Sequence, residues 1–135
     1  MSRPTPPPAP VPGLFERIGA VATAGEALIF ASAAVAQVVE MAKGRAAEPS
    51  RATFLALFLA ALAAGLVFVA RGLWRGARWP RGAAMTWQVL QCAVASSFVK
   101  SEPLVAAVLL MPVPLVVVGV IAGSLRTERA SREAR

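Results

Sequence analysis

One acidic side chain stands in the middle of a long apolar segment. Glu26 lies about a dozen residues into segment 14–42, at a depth where an ionised carboxylate inside a bilayer would cost about 3 kcal/mol. At 100° per residue, a helix places it on a stripe of small and polar residues opposite an aliphatic face. The stripe comprises Gly19, Ala22, Glu26, Ala33, Gln37 and Glu40. Such a stripe must face other helices or water, because acyl chains offer no hydrogen bonds.

A second apolar segment, 83–99, carries the amides of Gln88 and Gln91. We expect one of these amides to form a hydrogen bond with Glu26 or Gln37. Two interpretations of this intramembrane polar site remain open. The bonds could be purely structural, each worth about 0.6–2 kcal/mol. Alternatively, the carboxylate binds a proton or a cation on a substrate path.

Four apolar segments position these side chains. Their approximate bounds are 14–42, 52–70, 83–99 and 104–125. About 20 helical residues cross a hydrocarbon layer of roughly 30 Å, and the second and fourth segments contain no charged residue. The chain is also 57% hydrophobic. We therefore predict an all-α integral membrane four-helix bundle built from helical hairpins, with a third span that is the least apolar.

The ends of the chain differ from this domain. Residues 1–13 are dominated by proline and predict a disordered tail. The transmembrane domain is predicted over 14–125, with a kink at Pro112 and Pro114 in its fourth span. Residues 126–135 form a short basic tail.

Charge distribution predicts the orientation. With the N-terminus inside, the inner side carries ten Arg residues and the outer side carries four Lys or Arg residues. The positive-inside rule then places both termini in the cytoplasm and the protein in the plasma membrane as a multi-pass chain. The residues expected at the membrane interface are Arg71, Arg75, Arg78, Arg81, Trp74, Trp79 and Trp87.

Small residues predict where helices approach one another. Ala56, Ala60 and Ala64 recur every four residues in the second span, and Gly119 and Gly123 form a GxxxG motif in the fourth. Both patterns allow close helix packing.

Composition excludes several kinds of chemistry. The chain has no His, Asp or Tyr and a single Cys, so no triad, aspartyl dyad or His-based zinc site can form. We expect no catalytic residue, no metal and no cofactor. The net charge of +7 is concentrated at segment ends, so we expect no nucleic-acid partner. The expected partners are the lipid bilayer and other membrane subunits or a second copy of the chain.

Residues 71–98 resemble a pattern in uncharacterised four-span membrane proteins of high-GC Gram-positive bacteria. An Arg-rich loop with an RxPR core there leads into a span with two glutamines. The residues that carry the resemblance are Arg78, Pro80, Arg81, Trp87, Gln88 and Gln91. The resemblance implies a bacterial membrane protein and a four-span topology, and it implies no activity.

A second resemblance concerns Glu26. Small multidrug-resistance exporters also have four short helices and one essential glutamate in the first span, which would imply proton-coupled export of a cationic drug. This chain differs from them in its strong charge bias and in having no Tyr. Our first expectation is a non-catalytic structural or accessory membrane protein, and the alternative is a small proton-coupled cation or drug transporter that uses Glu26.

Overall fold

The computed structural model describes residues 11–135, and within this range the chain is helical and contains no strand. The helices are α1 (Leu14–Ala42), α2 (Pro49–Trp74), α3 (Trp79–Phe98), α4 (Pro103–Leu110) and α5 (Val113–Glu133). Since α4 and α5 are two parts of one interrupted helix, the molecule has four helices. The predicted all-helical, four-helix architecture is confirmed. Most of the predicted disordered tail, residues 1–13, lies outside the described residues.

Local chemistry sets where the helices begin and end. The backbone N–H of Gly13 donates to the Glu16 carboxylate (2.6 Å), which satisfies one free donor at the start of α1. Pro49 opens α2, where a missing N–H costs nothing. Gly44 and Gly76 have φ of +68° and +70° just after α1 and α2. This left-handed conformation closes a helix and turns the chain, and glycine adopts it without strain.

The predicted kink appears as a break between α4 and α5. Pro112 and Pro114 have no N–H, so the carbonyls of Val108 and Leu110 lose their usual donors four residues later. The helix stops at Leu110 and resumes at Val113. It then continues to Glu133, so most of the predicted basic tail is a helical extension of the fourth span.

The first two helices are antiparallel neighbours. The Arg17 guanidinium lies 5.5 Å from the centre of the Trp74 ring at one end. At the other end, the Thr53 hydroxyl is 3.9 Å from the Met41 sulfur. Helix α1 also packs against α5.

The third helix closes the bundle, because it packs against α2, α4 and α5. Arg81 at its start donates to the Thr127 hydroxyl of α5 (2.9 Å). About three turns further along, Gln91 donates to the Leu109 carbonyl of α4 (2.6 Å). These two bonds make α3 antiparallel to the fourth helix. The four helices therefore alternate in direction, and the connections 43–48 and 99–102 lie at the end opposite the connection 75–78.

Small side chains fill the interior and large apolar ones point outward. Ala84, Ala95 and Val116 are almost fully buried, whereas Phe54 and Leu104 are 70% and 76% exposed. A soluble domain would bury such groups to remove apolar area from water. Small interior residues instead let helices pack closely inside a hydrocarbon solvent.

Three of the four helices are long and apolar enough to cross a membrane. They are α1 with 29 residues, α2 with 26, and the interrupted helix from Pro103 to Glu133 with 31. Helix α3 has the length, about 30 Å for its 20 residues. Its polar side chains, including Arg81, Gln88 and Gln91, lower its apolar character. The fold is that of a multi-pass membrane protein, with α3 as its most polar helix.

Candidate functional site

The intramembrane acid lies at the centre of the bundle and bonds across it. Glu26 is 2% exposed. The Gln88 side-chain N–H donates to both of its carboxylate oxygens, at 3.1 and 3.3 Å. These bonds connect α1 to α3, helices that also meet at Phe30 and Trp87 and at Glu16 and Arg81. The structure thus brings together one pair among the combinations expected from the sequence.

The second amide has a different partner. Gln91 donates to the Leu109 carbonyl, in the last turn of α4, at 2.6 Å. Carbonyls in the last turn of a helix lack intrahelical donors, so Gln91 satisfies a backbone group at the edge of the proline break. The Gln91 side chain also borders the Glu26 carboxylate, as does Trp87.

Three buried polar atoms around this acid have no hydrogen-bond partner among the described residues: Trp87 Nε1, Gln88 Oε1 and Gln91 Oε1. An ionised carboxylate accepts hydrogen bonds only, while a protonated one must also donate. A 180° rotation of the Gln88 amide would replace its N–H donor with its unpartnered oxygen. The surroundings of Glu26 can therefore accommodate either protonation state.

An apolar cavity of about 210 Å³ adjoins this cluster. Trp87 and Gln91 form part of its wall, and Glu26 is not among its lining residues. The Phe30 ring, which meets the Trp87 ring edge-on with 5.5 Å between centroids, also lines it. The cavity is suited to an apolar group, and Trp87 and Gln91 connect it to the acid.

A second cluster lies at the end of the bundle near the chain termini. Glu16 is buried and faces two guanidinium groups, with Arg81 Nη2 at 3.3 Å and Arg126 Nη1 at 3.6 Å. Arg81 also donates to Thr127. The cluster links α1, α3 and α5. From sequence, Arg81 was predicted only to lie at the membrane interface and Glu16 had no predicted role, because charges at segment ends cannot be told apart until the helix pairing is known.

The other predicted polar and interface residues are dispersed. Gln37 lies about 16 Å along α1 from Glu26 and lines a groove with Glu40 at the opposite end of the bundle. Trp74 and Trp79 are exposed near the connection 75–78. Three of the predicted interface arginines are exposed on this end as well: Arg71, Arg75 and Arg78. Trp87 instead faces the interior.

The small residues of α2 are divided between two faces. Ala56 is buried, whereas Ala60 and Ala64 are exposed. The packed face of α2 contains the buried residues Ala56, Ala63, Leu66, Ala70 and Leu73. Successive members of this set are seven, three, four and three residues apart. Residues four apart on a helix are rotated by about 40° from one another, so a stripe with this spacing leaves the packed face within two turns.

The GxxxG residues of α5 contact α1. A Cβ built on Gly119 would lie 2.7 Å from the Phe15 carbonyl oxygen and 2.9 Å from the Gly19 Cα. A Cβ on Gly123 would collide with the Glu16 carboxylate. Both positions therefore need glycine so that α1 and α5 can approach and so that Glu16 can reach its arginines.

The four helices, their apolar exterior and the central polar cluster define the class as a multi-pass helical membrane protein. Comparison with protein-family models, curated proteins and solved structures gives no match to this chain.

Proposed function

We propose that the protein is a non-catalytic component of the plasma membrane that spans it four times, with both termini in the cytoplasm, and that it packs against other membrane subunits. The alternating helix directions support this topology, since they place the Arg-rich connection 75–78 at the same end as both termini. The ten-to-four asymmetry of basic residues assigns that end to the cytoplasm.

The observation that carries the structural role is the bond between Glu26 and Gln88. The acid is the strongest chemical candidate in the chain, and it is sealed in the bundle centre with its carboxylate bound by an amide. An interhelical bond of this kind stabilises a membrane bundle by about 0.6–2 kcal/mol. It also holds α3, the most polar helix, against the others.

The outer surface of α2 supports the accessory role. Ala60, Ala64 and Gly65 are exposed there, and a Cβ on Gly65 would meet no atom within 4 Å. A helix of another subunit could therefore approach this surface closely.

Copurification in mild detergent tests the accessory role. We expect a stoichiometric membrane partner to accompany the tagged protein, and Ala64→Phe to release it because the ring would separate the helices. The matched control is Val89→Phe, which adds a ring to an exposed position of a different helix, α3. A protein that elutes alone in every detergent, or equal partner loss in both variants, would contradict the proposal.

The second candidate function is proton-coupled transport of a small cation or drug through Glu26. It is favoured by the unpartnered amide oxygens beside the acid and by the apolar cavity on the other side of Gln91 and Trp87. Glu26→Gln would abolish a proton-coupled flux, because the amide cannot exchange a proton. Drug sensitivity of cells and proton flux in vesicles, compared between the parent and Glu26→Gln, separate the two functions: a structural role leaves both unchanged.

A further inference from the structure

A groove opens beside the Glu16 cluster at the end of the bundle where both termini lie. Its volume is about 540 Å³, which is ample for a phosphate group with its glycerol. Arg81, Arg126 and Arg129 line it, together with Thr127. These groups come from α3 and α5, so only the folded bundle assembles them.

The electrostatics of the groove favour an anion. Two of its arginines share the single carboxylate of Glu16, which leaves one positive charge uncompensated. Arg129 is exposed and forms no ion pair among the described residues. With Glu133 as the second acid, the lining has three arginines and two glutamates and a net charge of +1. Guanidinium groups bind phosphate oxygens in a bidentate manner.

The groove continues into an apolar cleft between α1 and α5. This cleft has a volume of about 310 Å³ and shares Glu16 and Arg126 with the groove. Its remaining walls include Leu14, Phe15 and Ala122. A polar basin for a headgroup and an apolar channel for a chain therefore meet at Arg126. The exposed rings of Trp74 and Trp79 at the same end of the bundle fit headgroup depth.

We propose that this groove and cleft bind one molecule of an anionic phospholipid. The phosphate lies against Arg126 and Arg129, and the first part of one acyl chain occupies the cleft beside Phe15 and Ala122, along the outside of the α1–α5 contact. A soluble phosphate ester offers the same anion but would leave the apolar cleft unused. A zwitterionic lipid would bring its own cation next to the arginines.

Native mass spectrometry of the full chain in detergent tests the site, with phosphatidylglycerol and phosphatidylcholine added in equal amounts. We expect the phosphatidylglycerol adduct to dominate. Arg129→Gln should reduce it about fivefold, from the contribution of one basic side chain near a lipid phosphate. Arg132→Gln, which removes the same charge from the same helix outside the groove, should leave it unchanged. Excess glycerol 3-phosphate should not displace the lipid.

A second pair of variants tests the apolar half without altering charge. Ala122→Leu narrows the cleft and should reduce the adduct, while Ala36→Leu at an exposed position of α1 outside the cleft should not. Equal adducts of both lipids would overturn the proposal, as would equal losses in Arg129→Gln and Arg132→Gln. Displacement by glycerol 3-phosphate would overturn the lipid assignment and identify a soluble phosphate ester. If Ala122→Leu kept the full phosphatidylglycerol adduct, the cleft would not be part of the binding site.

Discussion

Glu26 shows that the hydrogen-bond partners a carboxylate needs depend on the solvent around the protein. In water a carboxylate needs no partner, but inside a bundle surrounded by hydrocarbon its ionised form requires donors. Gln88 supplies two bonds from one N–H-bearing nitrogen. The pair is therefore coupled, because each side chain lowers the free-energy cost of burying the other.

This coupling gives a prediction at the residue scale. Gln88→Leu leaves the Glu26 carboxylate without its donor and should lower the free energy of unfolding by about 2 kcal/mol. Adding Glu26→Gln removes the buried charge and should restore about 1 kcal/mol, so the double variant should be more stable than Gln88→Leu alone. Unfolding titrations with sodium dodecyl sulfate in mixed micelles measure both values.

The matched control is Ser97→Ala, an exposed position on the same helix, which should change stability by less than about 0.5 kcal/mol. If Gln88→Leu costs the same with Glu or Gln at position 26, the hydrogen bond carries no coupling energy and the structural role of the pair is lost.

At the scale of the elements, glycine determines how closely α1 and α5 approach. The Cβ of Gly119→Ala would meet backbone atoms of Phe15 and Gly19, which cannot rotate away. We expect this variant to lower the free energy of unfolding by about 2 kcal/mol. Gly65→Ala is the control, because nothing lies within 4 Å of its Cβ, and it should be neutral or stabilising by up to about 1 kcal/mol. Equal changes of stability in both variants would show that the contact with α1 sets no cost at position 119.

The proline break gives a second prediction for an element. Gln91 satisfies the Leu109 carbonyl at the end of α4, so Gln91→Leu should cost about 1 kcal/mol. In a Pro112→Ala/Pro114→Ala background the helix can continue and the N–H of Val113 can bond this carbonyl. There, Gln91→Leu should cost less than about 0.5 kcal/mol in the same unfolding titration. An unchanged cost would mean that Gln91 acts through Glu26 and not through the break.

The elements were largely predictable from sequence because apolar length and prolines are local signals. The strongly apolar, charge-free segments 52–70 and 104–125 predicted α2 and the fourth helix, and Pro112 and Pro114 located the break. The stripe around Glu26 predicted a polar contact with the third helix. The Glu16 cluster was not predictable in the same way, since its three charges come from α1, α3 and α5 and meet only once the helices are paired.

The packed face of α2 shows a second limit. Alanine and leucine differ little as signals in a segment that is apolar all round, so the four-residue repeat of Ala56, Ala60 and Ala64 could not reveal which side faces α1. The structure selects the face of Ala63, Leu66 and Ala70. In a membrane helix, both the lipid and the neighbouring helices are apolar, and periodicity alone loses its power to separate inside from outside.

At the scale of the whole molecule, α3 decides the topology. Its 20 residues match the hydrocarbon thickness by length, yet its composition does not place it among the apolar spans. In the bundle it is bound at three depths: Arg81 to Glu16 and Thr127, Gln88 to Glu26, and Gln91 to Leu109. Each bond gives a polar group of α3 an internal partner. We infer that α3 crosses the membrane as part of the bundle, although it would be a poor span alone.

Reporter fusions placed after residues 46, 76, 101 and 135 test this inference. We expect positions 76 and 135 to report the cytoplasm and positions 46 and 101 to report the outside. Gln88→Leu/Gln91→Leu should leave this pattern intact, because leucine makes α3 more apolar. An Arg81→Ala/Gln88→Glu variant should weaken the insertion of α3, since it removes one cationic partner of Glu16 and places a second carboxylate next to Glu26. A cytoplasmic signal at position 101 in the parent chain would show that α3 does not cross, which would leave three spans and place the termini on opposite sides.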